Sequence, residues 1–358
     1  MRILLGIRVY VLLLVVALLM AAATLPAQRP FGIASYSLRD LGTLGGSESE
    51  AAAVNLYGEV AGTSVTATGE RHAFRFRNGQ MLDLGTLHGG LFSEAAAISD
   101  SGEVVGDSGW NGVGPGFPQM RLGFVWQDGT MRPTDYLYCI CSFNRRTGES
   151  RAYAINSRGR VVGDSLSARA GLWQAFSWQR DRGIRSIVDL NSPDGGFPSV
   201  GYGINDRDDI VGDHGGRAFL MRDGVREVLG VLAGDRSSSA RAVNAISQVA
   251  GFSVAADGVR RAFVWDGTMR ELPHVARSVS SEALAMNVHG DIVGRAGNGD
   301  LSDARAALWR SGVALDLNSL VPAPGWLLVT ATGINDVGQI VGTALRGGQR
   351  RAYLLSPE

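Results

Sequence analysis

Side chains able to do chemistry are few and scattered along this 358-residue chain. The two cysteines, Cys139 and Cys141, are one residue apart. A bridge between them would close a small strained ring, so a labile disulfide and a free thiol pair both fit the spacing. Neither has a histidine nearby, which makes a poor zinc site. The five histidines, His72, His88, His214, His274 and His289, fall at unrelated places and form no triad or metal spacing. The acidic run Asn205-Asp206-Arg207-Asp208-Asp209, with Asp213 beyond it, has the look of a calcium loop. Arg207 interrupts it, however, and the remaining oxygen ligands are missing. No metal or cofactor is expected. There is no phosphate-cradling glycine loop before a helix and no G-x-S-x-G nucleophile phrase.

A second set of residues has binding rather than catalytic chemistry. Trp110, Phe117, Tyr136, Tyr138, Phe143, Arg145 and Arg146 crowd two stretches, residues 107–122 and 133–151, and Trp326 follows a Pro-x-Pro-Gly turn. Aromatic and arginine side chains of this kind stack on sugar rings or anchor a protein partner. The competing reading is that they only pack their own loops.

What must position them is a repeat. The phrase small-x-small-x-Asn, then Gly, then Val/Ile-x-Gly, or a relative of it, recurs seven times, closing at Gly62, Gly106, Gly163, Gly212, Gly251, Gly294 and Gly342. These span 280 residues over six intervals, a period of about 47. A second phrase, Ala-Phe-x-Trp or a relative, and a third, Asp-Leu-Gly or a relative, also occur seven times. Each repeat reads as four short strands, A to D. Asn-x-x-Gly turns A into B, and Asn-Gly or Asp-Gly (Asn78-Gly79, Asp128-Gly129, Asp223-Gly224, Asp266-Gly267) turns C into D. Four antiparallel strands at this period predict an all-β, seven-bladed β-propeller over residues 36–358. The first phrase of the array is a D strand and the last is a C strand, so the N-terminal strand is expected to complete the last blade and remove the open edge. Strand A, with its alternating alanines, should be innermost, and the Phe and Trp of strand C should fill the space between blades. Connections B to C and D to A then emerge on one face, where both aromatic stretches and Trp326 gather.

The first residues read as an address. Met1 to Arg8 carries two arginines and no acid, and Val9 to Ala23 is a 15-residue apolar run. That run is short of the roughly 20 residues that span a bilayer. A signal peptide over 1–27, cut after Ala23 or Ala27, and a short lead over 28–35 are expected, an uncleaved anchor being the alternative. With 34 basic residues, all arginine, against 34 acidic ones, no nucleic-acid surface is implied.

The phrases DLGTLGG, SEAAAI, INDVGQIVG and RHAFRF resemble the bacterial extracellular HAF-repeat family, named for the motif at His72-Ala73-Phe74. The resemblance covers roughly residues 36–355, although Arg217, Arg261, Arg305 and Arg351 stand where the His would be. It implies an exported repeat protein, secreted or periplasmic, and transfers no chemistry onto residues. The expectation is a monomeric binding or scaffold module taking a carbohydrate or another surface protein on the loop-bearing face, off the membrane once the signal is removed. A glycan hydrolase or lyase, with carboxylates, Tyr or His meeting at the central opening, is the alternative.

Overall fold

The computed structural model describes residues 35–110, 120–137, 148–167, 171–187 and 196–358. Residues 36–358 form one compact unit of seven four-stranded antiparallel sheets. Blade 1 runs through Gly45–Val54, Val60–Thr66, Arg71–Arg77 and Gln80–Asp83 in simple up-and-down order. Blades 2 to 6 repeat this order. Blade 7 takes its inner three strands from Trp326–Ile334, Ile340–Arg346 and Gln349–Pro357, and its outer strand is Tyr36–Asp40. Tyr36 pairs with Pro357 and Asp40 with Tyr353, so the ends of the array share one sheet, as their phrases predict.

Each A strand touches the A strands of both neighbouring blades, which closes an inner ring around a central channel. The strand-C aromatics do fill the wedges between blades. Phe74, Phe124, Phe176, Phe219 and Phe263 are fully or almost fully buried, and Trp126 and Phe124 pack with Leu84 and Leu87 of the preceding blade. The C to D hairpins at Asn78-Gly79, Asp128-Gly129 and Asp223-Gly224 have positive φ at both residues, the type I′ geometry that suits strand twist. At Asp266-Gly267 only the glycine does, and Ser311-Gly312 supplies the pair in blade 6.

One departure from regular pairing occurs in every blade. In strand A of blade 1, Ala51 pairs with Gly62 and Ala53 with Ala61, so Ala52 is left over as a β-bulge. The same slip leaves Ala96, Tyr153, Tyr202, Arg241, Leu284 and Thr332 unpaired. The bulge drives the preceding carbonyl toward strand B. A Cβ at Gly62 would overlap the carbonyl oxygen of Glu50, and one at Gly294 that of Glu282; each of the seven closing glycines meets strand A in this way. That close approach is the physical reason the phrase ends in glycine.

The repeated asparagine also does more than turn the chain. Its Oδ1 accepts backbone N–H bonds within its own turn, as at Asn55 from Tyr57 and Glu59. Its Nδ2 reaches the next blade. Asn55 donates to the Ser99 carbonyl, Asn156 to Asn205, Asn205 to Asn244, Asn244 to Asn287, Asn287 to Asn335, and Asn335 back to Asn55, at 2.9–3.4 Å. This girdle circles one mouth of the channel with a single missing link, at blade 2, where Ser99 replaces asparagine and has no amide to offer. A second set of cross-blade bonds lies further out. Ser49, Ser93, Ser150, Ser199, Ser238 and Ser281 each accept the N–H of the strand-C residue at the Ala of Ala-Phe in the preceding blade, Gly123 in blade 2, at 2.8–3.0 Å. In blade 7 Val329 stands at the serine position, and Asn318 ties blade 6 to Leu328 instead.

Candidate functional site

Strand A runs from the loop-bearing face toward the asparagine girdle, so its residues line the channel in levels. The girdle surrounds an opening of about 300 Å³ to which all seven A to B turns contribute. Next come Val54, Ile98, Ile155, Ile204, Val243, Met286 and Ile334, then the bulge residues, and last, toward the other face, Glu50, Glu94 and Arg151 with their strand-B partners.

The bulge level is where sevenfold repetition fails. Blades 1, 2, 6 and 7 place Ala52, Ala96, Leu284 and Thr332 there, whereas blades 3, 4 and 5 place Tyr153, Tyr202 and Arg241. The two tyrosine rings meet at 5.2 Å between centroids, and the Arg241 guanidinium lies 3.7 Å from the Tyr202 centroid and 5.1 Å from that of Phe252. Arg151 sits 4.1 Å over Trp173 and 5.8 Å from Tyr153, and reaches the fully buried Asp164 at 2.9 Å. Burial pushes both tyrosine hydroxyls to higher pKa, so both are neutral. On the small-residue side a cavity of about 450 Å³ remains, floored by Ala51, Ala52 and Ala95. Thr63, Thr330, Thr343, Glu50, Arg295 and Arg350 line it, and Leu301 and Ser302 come from the B to C connection of blade 6. Glu50 bridges Arg71 and Arg350, and Glu282 holds Arg295 and Arg260 at 2.5 Å.

Three carboxylates occupy one register position, the residue after the closing glycine, in blades 2 to 4: Asp107, Asp164 and Asp213. Burial raises all three, Asp107 to about 6, against the opposing pull of Arg121 on Asp107, Arg151 on Asp164 and Ser239 on Asp213. For Asp107 the folded value lies above the unfolded one of about 3.9. Its stabilising contribution is therefore complete below about pH 3.9 and is lost as pH rises through about 6. We expect the urea midpoint of wild type, measured against Asp107→Asn, to fall relative to the variant between pH 4 and 7. A difference that is flat with pH refutes the assignment.

The sequence-predicted aromatics are placed as follows. Trp110 packs partly buried among the apolar contacts between blades 1 and 2, 6.0 Å from His88, with its indole N–H buried and without a protein partner among the described residues. Tyr136 joins the same cluster and lies against Gly148. Trp326 packs in the blade 6 to 7 cluster beneath Arg346, 5.1 Å away, and lines a separate cavity of about 320 Å³ with Asn318 and Pro324. Phe117, Tyr138, Phe143, Arg145, Arg146, Cys139 and Cys141 lie outside the described residues. Strand ends flanking 111–119 and 138–147 do sit on the face with Trp326, which pairs with Arg346 at the B to C turn. The acids that resemble a calcium loop are engaged in the girdle. Asp206 accepts from Ser157 N–H, Asp208 from Asn156, and Asp209 from Asn205 and Ser247. His72 pairs with Asp83 of its own Asp-Leu-Gly strand at 2.9 Å, and Arg261 with Glu271 at 3.2 Å, while Arg351 bonds the Ser47 carbonyl instead. Sequence reasoning missed Tyr153, Tyr202 and Arg241. Their only signal is that they fill the variable position of small-x-small with large side chains.

The sequence matches no protein-family model and no curated protein. Among solved structures the chain is similar to a prolyl endopeptidase (TM-score 0.52, 13% identity, 78% of this chain and 42% of that one). It is also similar to a gluconolactonase from Xanthomonas campestris (TM-score 0.41, 10%, 90% and 89%) and to a lectin in complex with alpha methyl fucoside (TM-score 0.41, 11%, 75% and 95%). At these identities the likeness extends to the propeller fold alone.

Proposed function

We propose that this chain is an exported propeller of the HAF-repeat kind that works as a binding module, taking a carbohydrate in the axial cavity on its loop-bearing face. The observation that carries this reading is the 450 Å³ cavity itself, which falls within the ~300–1,000 Å³ typical of ligand sites. The hydroxyls of Thr63, Thr330 and Thr343 have no hydrogen-bond partner among the described residues, and they lie beside fixed charges at Glu50 and Arg350 over an alanine floor. Convergent hydroxyls and charges over a small apolar base suit a polyhydroxylated ligand. Export rests on the signal-like residues 1–27 and places the module in the periplasm or outside the cell.

Calorimetry against a panel of cell-envelope polysaccharides tests this, with Ala52→Tyr as the control. Tyrosine already occupies the equivalent position in blades 3 and 4, so the variant should fold normally and fill the cavity. Saturable heat in wild type that weakens at least 100-fold in Ala52→Tyr is the expected result. Undiminished binding in the variant removes the ligand from the axis. Heat that continues at a steady rate marks turnover and puts the hydrolase or lyase reading first, with Asp107, which titrates near 6 beside Arg121, as the acid to test.

A further inference from the structure

We infer that the ligand of the axial site carries a carboxylate, as a uronate-containing glycan does, and that Arg241 receives it; this rests on the binding reading above. Arg241 is the one charged residue among the seven bulge positions. Ala52 and Thr332, at the equivalent positions of blades 1 and 7, line the axial cavity, whose walls come from blades 1, 2, 6 and 7; Arg241 belongs to the same ring of bulge residues in blade 5, beside Tyr202, where a ligand extending from the cavity along the channel would meet it. Arginines around it on the loop-bearing side are neutralised: Arg71, Arg121, Arg151, Arg260, Arg295 and Arg350 each have a carboxylate within 4.0 Å. Among the described residues Arg241 has no such partner. Asp213, the acid whose charge reaches it, is held by Ser239 at 2.9 Å.

The Arg241 Nε is buried and has no hydrogen-bond partner among the described residues. A buried donor left unpaired is costly, and for a charged group more so, so the site favours an occupant that brings an acceptor. Tyr202 and Phe252 flank the guanidinium, and the Tyr202 hydroxyl shares a hydrogen bond with it, which holds the group in place while its charge stays without a carboxylate. Tyr153 and Tyr202 beside it offer ring surface on which a pyranose can stack. A sugar acid satisfies both features at once. A neutral sugar leaves the charge unmatched, and a free inorganic anion leaves the rings bare.

The test uses the protein with oligogalacturonate and oligoalginate hexamers, each as the free acid and as its neutral methyl ester, beside a sulfated neutral hexamer. The acids should bind at least 10-fold tighter than their esters. That advantage should shrink as salt rises from 50 to 500 mM, because the contact is partly solvated. It should vanish in Arg241→Gln and be only partly restored in Arg241→Lys, which keeps the charge and loses the fork. Equal binding of acid and ester, or an acid preference that survives Arg241→Gln, overturns the role of Arg241 while leaving a carbohydrate site in place. Tighter binding of the sulfated hexamer replaces the carboxylate with a sulfate ester and overturns the ligand class. Silence from every oligomer removes the carbohydrate reading and this inference together.

Discussion

Tyr36→Ala should lower the unfolding free energy by about 3–5 kcal/mol, the cost of deleting a fully buried aromatic side chain. Tyr36 opens the outer strand of blade 7 and has no exposed surface. Its ring packs against Leu308 and Leu317 of blade 6 and Tyr353 and Leu355 of blade 7, and its hydroxyl accepts a bond from Arg310 at 3.1 Å. One side chain from the start of the array therefore clamps the two blades at its end. Tyr36→Phe keeps the packing and loses only the bond, so it should cost about 0.5–1.5 kcal/mol. Urea unfolding of both variants separates the contributions. If the alanine variant costs no more than the phenylalanine one, packing does not hold the closure.

The second large effect is expected at Asn335, where Asn335→Ala should cost about 2–4 kcal/mol. The side chain donates to the Asn55 carbonyl at 2.9 Å and to Gln339 Oε1 at 2.8 Å, and it accepts the Gln339 N–H at 2.9 Å. Alanine strands several buried polar groups at once, and each lost partner costs about 1–3 kcal/mol. The opposite sign is expected at the missing link. Ser99 already adopts the same turn as its counterparts, with Ser99 N–H bonded to the Glu103 carbonyl and Gly102 N–H to the Ser99 carbonyl. Ser99→Asn should add a bond to the Asn156 carbonyl and raise stability by about 0.5–1.5 kcal/mol. Thermal melts of the two single variants and the double variant check the pair. A neutral or destabilising Ser99→Asn shows that the girdle is a by-product of the turn and not a contributor to closure.

Much of the fold is legible in the residues because the repeat states it seven times. Blade count, strand order, the inner position of strand A and the closure by the first strand all follow from phrases within one repeat and from where the array starts and stops. The cross-blade chemistry is not legible in the same way. Asn55 and Ser99 are 44 residues apart, and nothing in the turn phrase says that an asparagine amide will reach the next turn. The serines two positions before the small residue of strand A are ordinary strand residues until the preceding blade is placed beside them. The bulge is hidden for a different reason. Alternating alanines read as a regular strand, and a one-residue slip changes which residue faces the axis without changing the pattern. Tyr153, Tyr202 and Arg241 were therefore out of reach, while the loop aromatics drew notice because insertions are visible by length. Trp110 and Tyr136 show the limit of that signal, since both are partly packed into the contacts between blades.

The pairing of Tyr36 with Pro357 has a mechanical side. Strand Tyr36–Asp40 and its partner begin and end at the same edge, with Tyr36–Pro357 as the outermost rung and Asp40–Tyr353 the innermost. Antiparallel hydrogen bonds lie across the strands. Tension that draws Tyr36 away from Pro357 therefore loads the rungs one after another, as in opening a zipper, and never all together in shear. The closed ring should yield to a pull at this seam with little force, peeling the five residues of the outer strand of blade 7 and freeing Tyr36 from its pocket before the other six blades unfold.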